Sequence, residues 1–537
     1  MHPCNPKLVL PSTPQRLAVP LNSSVLLAGL ALCTALLAAC GGGGGGGSTA
    51  FAPGPVVSAI PPSTQFKGTL VNLAPGAGAL ASDWSAATCT DNRQKNWVRS
   101  FLNENYLFYR EAPLISIDPN TYTGTVANLF AAYTTGGVPA KDRFSFVLTQ
   151  ADADATFQGG TSSNVGFTLR RDNNNGGIIR IAYVDPAGPG AAAGFARGMV
   201  LASVDGTNTA FSIPQALFDK LFNSAPGTSS VVGVQDTING PVRNITVASA
   251  NYSSSPLLIE RIFPGTNITP TAGYLAYTSF ATPIGEVQLA DAFRRFAAAG
   301  VTNLIVDLRY NGGGYIDIAS ELGYMAAGPG STNGRIFETL VYNDKRTADN
   351  GSIGFTNAIT NFFGNTARAG EPFASLNLST VYVLTTGSTC SASEAFISGL
   401  RGIGVEVVMI GGTTCGKPYG FSQANNCTLS YFGLEFEGRN NRGEVVPVTG
   451  LAPTCGATDD FDHALGDPNE RMLSFAFFHQ FTHVCPAFQV TSPGSPALSA
   501  DSATGSPLFL RNPNALNPDM EFMTRPADSI KLRRSDK

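Results

Sequence analysis

Charge is scarce in this chain. Only 13% of its 537 residues are Asp, Glu, Lys or Arg, and the net charge is −4. An average globular protein carries roughly 25%. That balance leaves no broad basic footprint and excludes nucleic acid as the expected partner. Histidine is rarer still, with four in all: His2, His463, His479 and His483. His479 and His483 sit four apart on an apolar helical pattern, a spacing that suits a metal pair, but no third ligand accompanies them. His463 is flanked by Asp462 and leaves a Ser-His-Asp triad open, because the order of triad members varies between folds. The apolar run at the start, Val25–Ala39, is too short for a comfortable membrane span.

That run has another use. It follows Lys7 and Arg16 and ends in Leu37-Ala38-Ala39-Cys40, which resembles the bacterial lipobox. The resemblance implies cleavage before Cys40 and lipidation of its thiol; a plain secretory signal is the alternative. Residues 1–40 are therefore expected to be a signal peptide. Gly41–Gly47 reads as a flexible tether, and Pro/Ala/Ser-rich linker continues to about residue 87. The expected location is the bacterial cell envelope, anchored to the membrane at Cys40. Gly41 after the cysteine implies the outer membrane if the host is Gram-negative.

The rest of the chain is organised around Ser379–Gln423. Val381–Leu384 is an apolar run that predicts a buried strand, broken by Thr386-Gly387. Beyond Ser391, apolar positions at Ala392, Ala395, Phe396, Gly399 and Leu400 have helical spacing. A strand, a tight turn and a helix would set the Ser391 hydroxyl at the positive end of a helix, beside free N–H groups. That geometry suits a nucleophile whose attack creates an oxyanion. A second strand, Val405–Ile410, leads to Lys417, the only charged side chain between Glu406 and Glu435. A buried lysine without a carboxylate loses hydration in its charged form, and a neutral amine can take a proton from serine. A solvated loop lysine is the bland alternative.

STCSASE, a strand, and then TTCGK resemble the active-site region of the S41 serine peptidases, the C-terminal processing or tail-specific proteases. The resemblance implies Ser391 as nucleophile and Lys417 as general base. The family's glutamine four residues past the lysine is Phe421 here, so Gln423 is carried over as the residue that orients the lysine. The usual glycine after the lysine is Pro418. Leu304–Gly314, LIVDLRYNGGG, resembles a second family signature. It implies an oxyanion hole from the N–H of Gly312 or Gly313 together with that of Ala392, with Asp307 and Arg309 structural. The expected partners are protein or peptide substrates, with their C-termini as one expected point of capture, and no cofactor or metal is implied.

The length suggests two to three domains. Residues 88–155 read as a small helical cap with no visible chemistry, although Asp142-Arg143-Phe144-Ser145 matches a run found ahead of the PDZ domain in S41 relatives. Residues 156–255 resemble a PDZ domain, with Val165, Gly166 and Phe167 as its carboxylate-binding loop. An inert β-rich spacer is the alternative. Strands alternating with helices over 256–487 predict an α/β core, and the resemblance narrows it to the crotonase/ClpP-like spiral. Residues 488–537 read as a flexible polar arm. The six cysteines past Cys40 allow fifteen full pairings. If Ser391 and Lys417 touch, Cys390 and Cys415 are close enough to bridge; Cys455–Cys485 is a second candidate. Cys390 as a thiol nucleophile, a catalytically degenerate peptide-binding protein and an apolar-ligand carrier remain as rival readings.

Overall fold

The computed structural model describes residues 89–487 except 158–160, 267–268 and 365, together with residues 60, 61 and 63 and the backbone of strand 521–523. The signal peptide, Cys40, the tether and most of the arm lie outside the described residues.

Thr90 caps the first helix, α1 (Asp91–Asn105), by accepting from the Arg93 N–H. A Thr125–Asn128 capping box starts α2 (Val126–Tyr133). The chain continues through strand β1 (Phe146–Thr149) and α3 (Gln150–Phe157). This segment is not a separate body. Trp97, Leu102, Leu129 and Phe130 share one buried cluster with Tyr431 and Phe432 of the core, and a Cys89–Cys427 disulfide closes the join.

A β-rich body follows: β2 (Thr161–Asn164), β3 (Phe167–Asp172), β4 (Ile178–Val184), α4 (Pro189–Ala193), β5 (Val200–Val204), β6 (Thr207–Asn208), α5 (Gln215–Phe222), β7 (Ser229–Gln235), β8 (Val242–Ala248) and β9 (Ala250–Ser253). The sheet order is β3-β4-β5-β7-β8 with β6 on β5, and β2 pairs with β9. This body has its own apolar core, including Val165, Phe167, Ile179, Ile181, Leu201, Val232 and Val234.

The remainder is α/β. It comprises β10 (Leu257–Phe263), β11 (Ala272–Tyr277), α6 (Gly285–Ala298), β12 (Asn303–Asp307), β13 (Gly313–Tyr315), α7 (Ile316–Thr332), β14 (Ile336–Tyr342), β15 (Gly351–Gly354), β16 (Thr380–Thr385), α8 (Ala392–Gly402), β17 (Glu406–Gly411), β18 (Tyr419–Gly420), β19 (Ala424–Asn426), β20 (Leu429–Phe432), β21 (Phe436–Arg439), β22 (Cys455–Gly456) and α9 (Arg471–Thr482). The central sheet runs β10-β11-β12-β16-β17-β22, parallel from β11 onward. Parallel strands covered on both faces read as continuous apolar runs, as β12 and β16 do. Alternate residues divide between two clusters. Val306, Val383 and Met409 pack with α6, α7 and α8, whereas Ile305, Leu384 and Ile410 pack with Met472, Leu473 and Ala476 of α9. Each large side chain buried this way contributes about 2 kcal/mol.

Three neighbouring parallel strands, β12, β16 and β17, end at one edge of this sheet. Loops beyond the carboxyl ends of parallel strands are where open α/β sheets place ligands. Those three loops carry Gly312, Ser391 and Lys417.

Candidate active site

Ser391 lies in the turn between β16 and α8 at φ 62°, ψ −117°, a conformation that L-residues rarely adopt. Such backbone strain persists only where surrounding bonds impose it. Here they do. The Cys390 N–H donates to the Asn311 carbonyl at 3.1 Å, the Ser393 hydroxyl donates to the same carbonyl at 3.1 Å, and the Ser391 N–H donates to Glu394 Oε2 at 3.0 Å. The Ser391 side chain is 1% exposed, and its Oγ has no hydrogen-bond partner among the described residues.

Glu394 is the residue the sequence reading left without a role. Its Oε2 also accepts from the Lys417 N–H at 2.8 Å, while Oε1 takes the Gly416 N–H at 2.8 Å and the Thr414 hydroxyl. One carboxylate thus fastens the nucleophile turn to the base loop. Burial pushes its carboxyl up from the ordinary glutamate value, opposed by the bonds from Thr414, Lys417, Ser391 and Gly416. The signal was present: Ser391 and Glu394 stand in the S-x-x-E spacing of a capping box. A Cys390–Cys415 disulfide and a 3.0 Å bond from the Cys415 N–H to the Thr389 carbonyl tie the same two loops again. Cys390 is therefore not a free thiol. The grouping Cys390, Glu394 and Cys415 has the donor types of a metal site, but the disulfide removes both thiolates.

Lys417 is 1% exposed. Its Nζ lies 4.1 Å from the centre of the Phe421 ring and 5.5 Å from that of Phe144. Arg143 reaches in beside Phe144 and donates to the Cys415 carbonyl. The segment expected to carry no chemistry therefore supplies one wall of the lysine pocket, which is a correction to that expectation. Asp142 fixes this run by accepting the Phe144 and Ser145 N–H groups, each at 2.9 Å.

Gln423 is engaged elsewhere: its amide donates to Asp154 at 3.2 Å, Asn425 at 3.0 Å and Ser430 at 3.1 Å. The side chain seated on the lysine is Phe421. Of the two loop glycines, Gly313 gives its N–H to Asn311 Oδ1 at 2.8 Å, while no hydrogen bond among the described residues uses the Gly312 N–H. Ala392 is the first residue of α8, so its N–H has no acceptor within the helix.

Behind the loops lies a buried ionic network. Arg309, fully buried, meets Asp307, Glu470 and Asp459 at 2.7–2.8 Å. Asp307 and Arg309 are thus the structural pair expected. Arg197 of the β-rich body joins through Asp459 at 2.7 Å and through the Tyr310 hydroxyl. Although burial works against ionisation of Asp459, Arg197 and Arg309 hold its carboxyl well below the usual range.

The histidines are occupied otherwise. His463 pairs with Asp460 at 2.8 Å, Asp462 takes Arg180, and His479 Nδ1 meets the Tyr382 hydroxyl at 3.1 Å. In the β-rich body, the Val165 N–H donates to the Leu221 carbonyl at 3.1 Å and the Gly166 N–H to Asn164 Oδ1 at 2.7 Å. Phe167 is buried in β3. The loop as folded does not offer the first two amides to a carboxylate. The second expected disulfide, Cys455–Cys485, is present.

Residues 271–425 match the family model for peptidase family S41. Among solved structures, a Bacteroides fragilis NCTC 9343 protein assigned as an S41 protease is 25% identical over 72% of this chain and 97% of its own, with a TM-score of 0.56. The photosystem II D1 C-terminal processing protease is 17% identical over 72% of this chain and 98% of its own, at a TM-score of 0.43. No curated protein matches the chain. Strands β12, β16 and β17, the glycine loop, Ser391 and Lys417 all fall within the matched span, and the chain therefore carries a peptidase family S41 domain.

Proposed function

We propose that this chain is an exported serine endopeptidase of the cell envelope, anchored by lipid at Cys40, that cuts protein substrates with Ser391 and Lys417. The observation that carries the reading is the shared carboxylate: Glu394 Oε2 accepts N–H groups from both residues. Lys417 is 1% exposed, and lysines that act as bases are those removed from water. Lys417 Nζ takes the Ser391 hydroxyl proton as Oγ attacks the peptide carbonyl. The N–H groups of Gly312 and Ala392 receive the oxyanion. Lys417 then returns the proton to the leaving amine, and water releases the acyl-enzyme by the reverse sequence. The β-rich body, PDZ-like in its resemblance, and the amino-terminal helices frame the site.

A fluorophosphonate probe tests this. Mass spectrometry is expected to find the adduct on Ser391 and none in Ser391→Ala. A folded wild-type chain that takes no label returns the degenerate peptide-binding reading.

A further inference from the structure

Strand β13 begins one residue past Gly312, and each of its edges has a different neighbour. On one edge, the Phe280 N–H donates to the Gly313 carbonyl at 2.7 Å and the Tyr315 N–H donates to the Phe280 carbonyl at 3.2 Å. Backbone groups alternate in direction along a strand, so the N–H and C=O of Gly314 face the other edge. Gly314 stands at φ 128°, and a Cβ there would lie 2.4 Å from Phe280. Only glycine lets the Phe280 edge form. The other edge is filled by the chain's own carboxyl-terminal arm: β23 (Glu521–Met523) pairs parallel to β13, Gly313 with Glu521, Gly314 with Phe522 and Tyr315 with Met523. β18, two residues beyond Lys417, comes within 8 Å of β23, Cα to Cα. The arm's strand therefore runs between the segment that follows the oxyanion loop and the one that follows the base.

We propose that the outer edge of β13 is the docking edge for an extended peptide, and that residues Glu521–Met523 occupy it as an intramolecular pseudo-substrate. The naming of this edge as a substrate edge rests on the peptidase reading above. Adding a strand to an open edge supplies main-chain hydrogen bonds irrespective of sequence, with side chains selecting the occupant. A tethered segment competes at an effective concentration that can reach the millimolar range. The arm therefore slows entry of outside peptides, and a substrate must displace it.

The test uses the full chain and a Met523→Pro variant, because with Gly314 facing β23 in parallel register the Met523 N–H is the donor to the Gly314 carbonyl, and proline removes it. A fluorescein-labelled peptide spanning Asp519–Arg525 is titrated against both by anisotropy. The variant is expected to bind it saturably and the wild-type chain, already occupied, about tenfold more weakly. Equal binding by both, or binding by neither, overturns the proposal. Fluorophosphonate labelling of the same two proteins separates this from the peptidase reading. If Ser391 labels at the same rate in both, docking at the site is refuted while the nucleophile stands. If neither labels but the peptide still binds only the variant, docking stands and the nucleophile falls.

Discussion

Ser391 and Lys417 hang their backbone N–H groups on a single atom, Oε2 of Glu394, at 3.0 and 2.8 Å. The two loops arrive from the ends of different strands, and the Cys390–Cys415 disulfide and one backbone bond from Cys415 to Thr389 join them on one side only. A buried carboxylate that accepts four backbone and side-chain donors fastens them as well, and it does so most strongly when ionised.

Replacing that carboxylate should cost more than one hydrogen bond. Glu394→Ala leaves the amides of Ser391, Gly416 and Lys417 without an acceptor, with a loss of ~3–5 kcal/mol in urea unfolding. Glu394→Gln keeps the shape but turns an NH2 group toward donors. That variant should stay folded by circular dichroism and lose at least about tenfold in the rate of Ser391 labelling. Unchanged labelling in the glutamine variant would show that the shared bond does not set the site.

The two disulfides in the core domain offer a matched comparison. Cys390–Cys415 and Cys455–Cys485 close loops of similar length, with separations of 25 and 30 residues. Each double alanine variant should lose ~3 kcal/mol of stability. Only the first should also slow Ser391 labelling, because only it joins the nucleophile and base loops. Equal labelling rates in the two variants would contradict its positioning role.

Arg309 is fully buried among Asp307, Glu470 and Asp459. Arg309→Met strands those carboxylates and should destabilise the fold by ~3–5 kcal/mol. Arg309→Lys should recover only part, since an ammonium cannot reproduce the guanidinium fork. Urea midpoints at constant slope measure both. A neutral methionine variant would mean the network is dispensable.

Glu338 gives a pH signature. It is buried in β14, its Oε2 has no hydrogen-bond partner among the described residues, and burial pushes its carboxyl from 4.5 up to about 8. The folded chain holds this proton where the unfolded chain has released it. Its contribution is therefore complete below pH 4.5 and is lost as pH rises to about 8. The ceiling is ~5 kcal/mol from the size of the shift. Unfolding free energies at pH 5 and pH 8 should fall with pH in the wild type and fall less in Glu338→Gln. Identical slopes would refute this assignment.

Much of this was legible before any coordinates. The apolar runs at Val381–Leu384 and Val405–Ile410 became β16 and β17. The helical spacing of Ala392, Ala395, Phe396, Gly399 and Leu400 became the buried face of α8. Local periodicity carries that information because each element buries one face. What was not legible came from distant sequence. Phe144 and Arg143 meet the base loop across more than 270 positions, and the Asp142–Ser145 run that marks them carries no sign of that contact. The shared apolar cluster and the Cys89–Cys427 disulfide joining residues 88–155 to the core were likewise invisible, so that segment read as separate. Gln423 was carried over by analogy across an offset of two residues, and the hydrogen bonds it makes are to Asp154, Asn425 and Ser430.

The central claim is that the Lys417 amine takes the Ser391 proton. Its most direct test is the second-order rate of fluorophosphonate labelling of Ser391 in Lys417→Ala, compared with the wild type at pH 7 to 9. The expected result is a folded variant whose labelling rate falls by about 100-fold or more, the scale of a lost general base. A labelling rate within a factor of about two of the wild type would contradict the dyad.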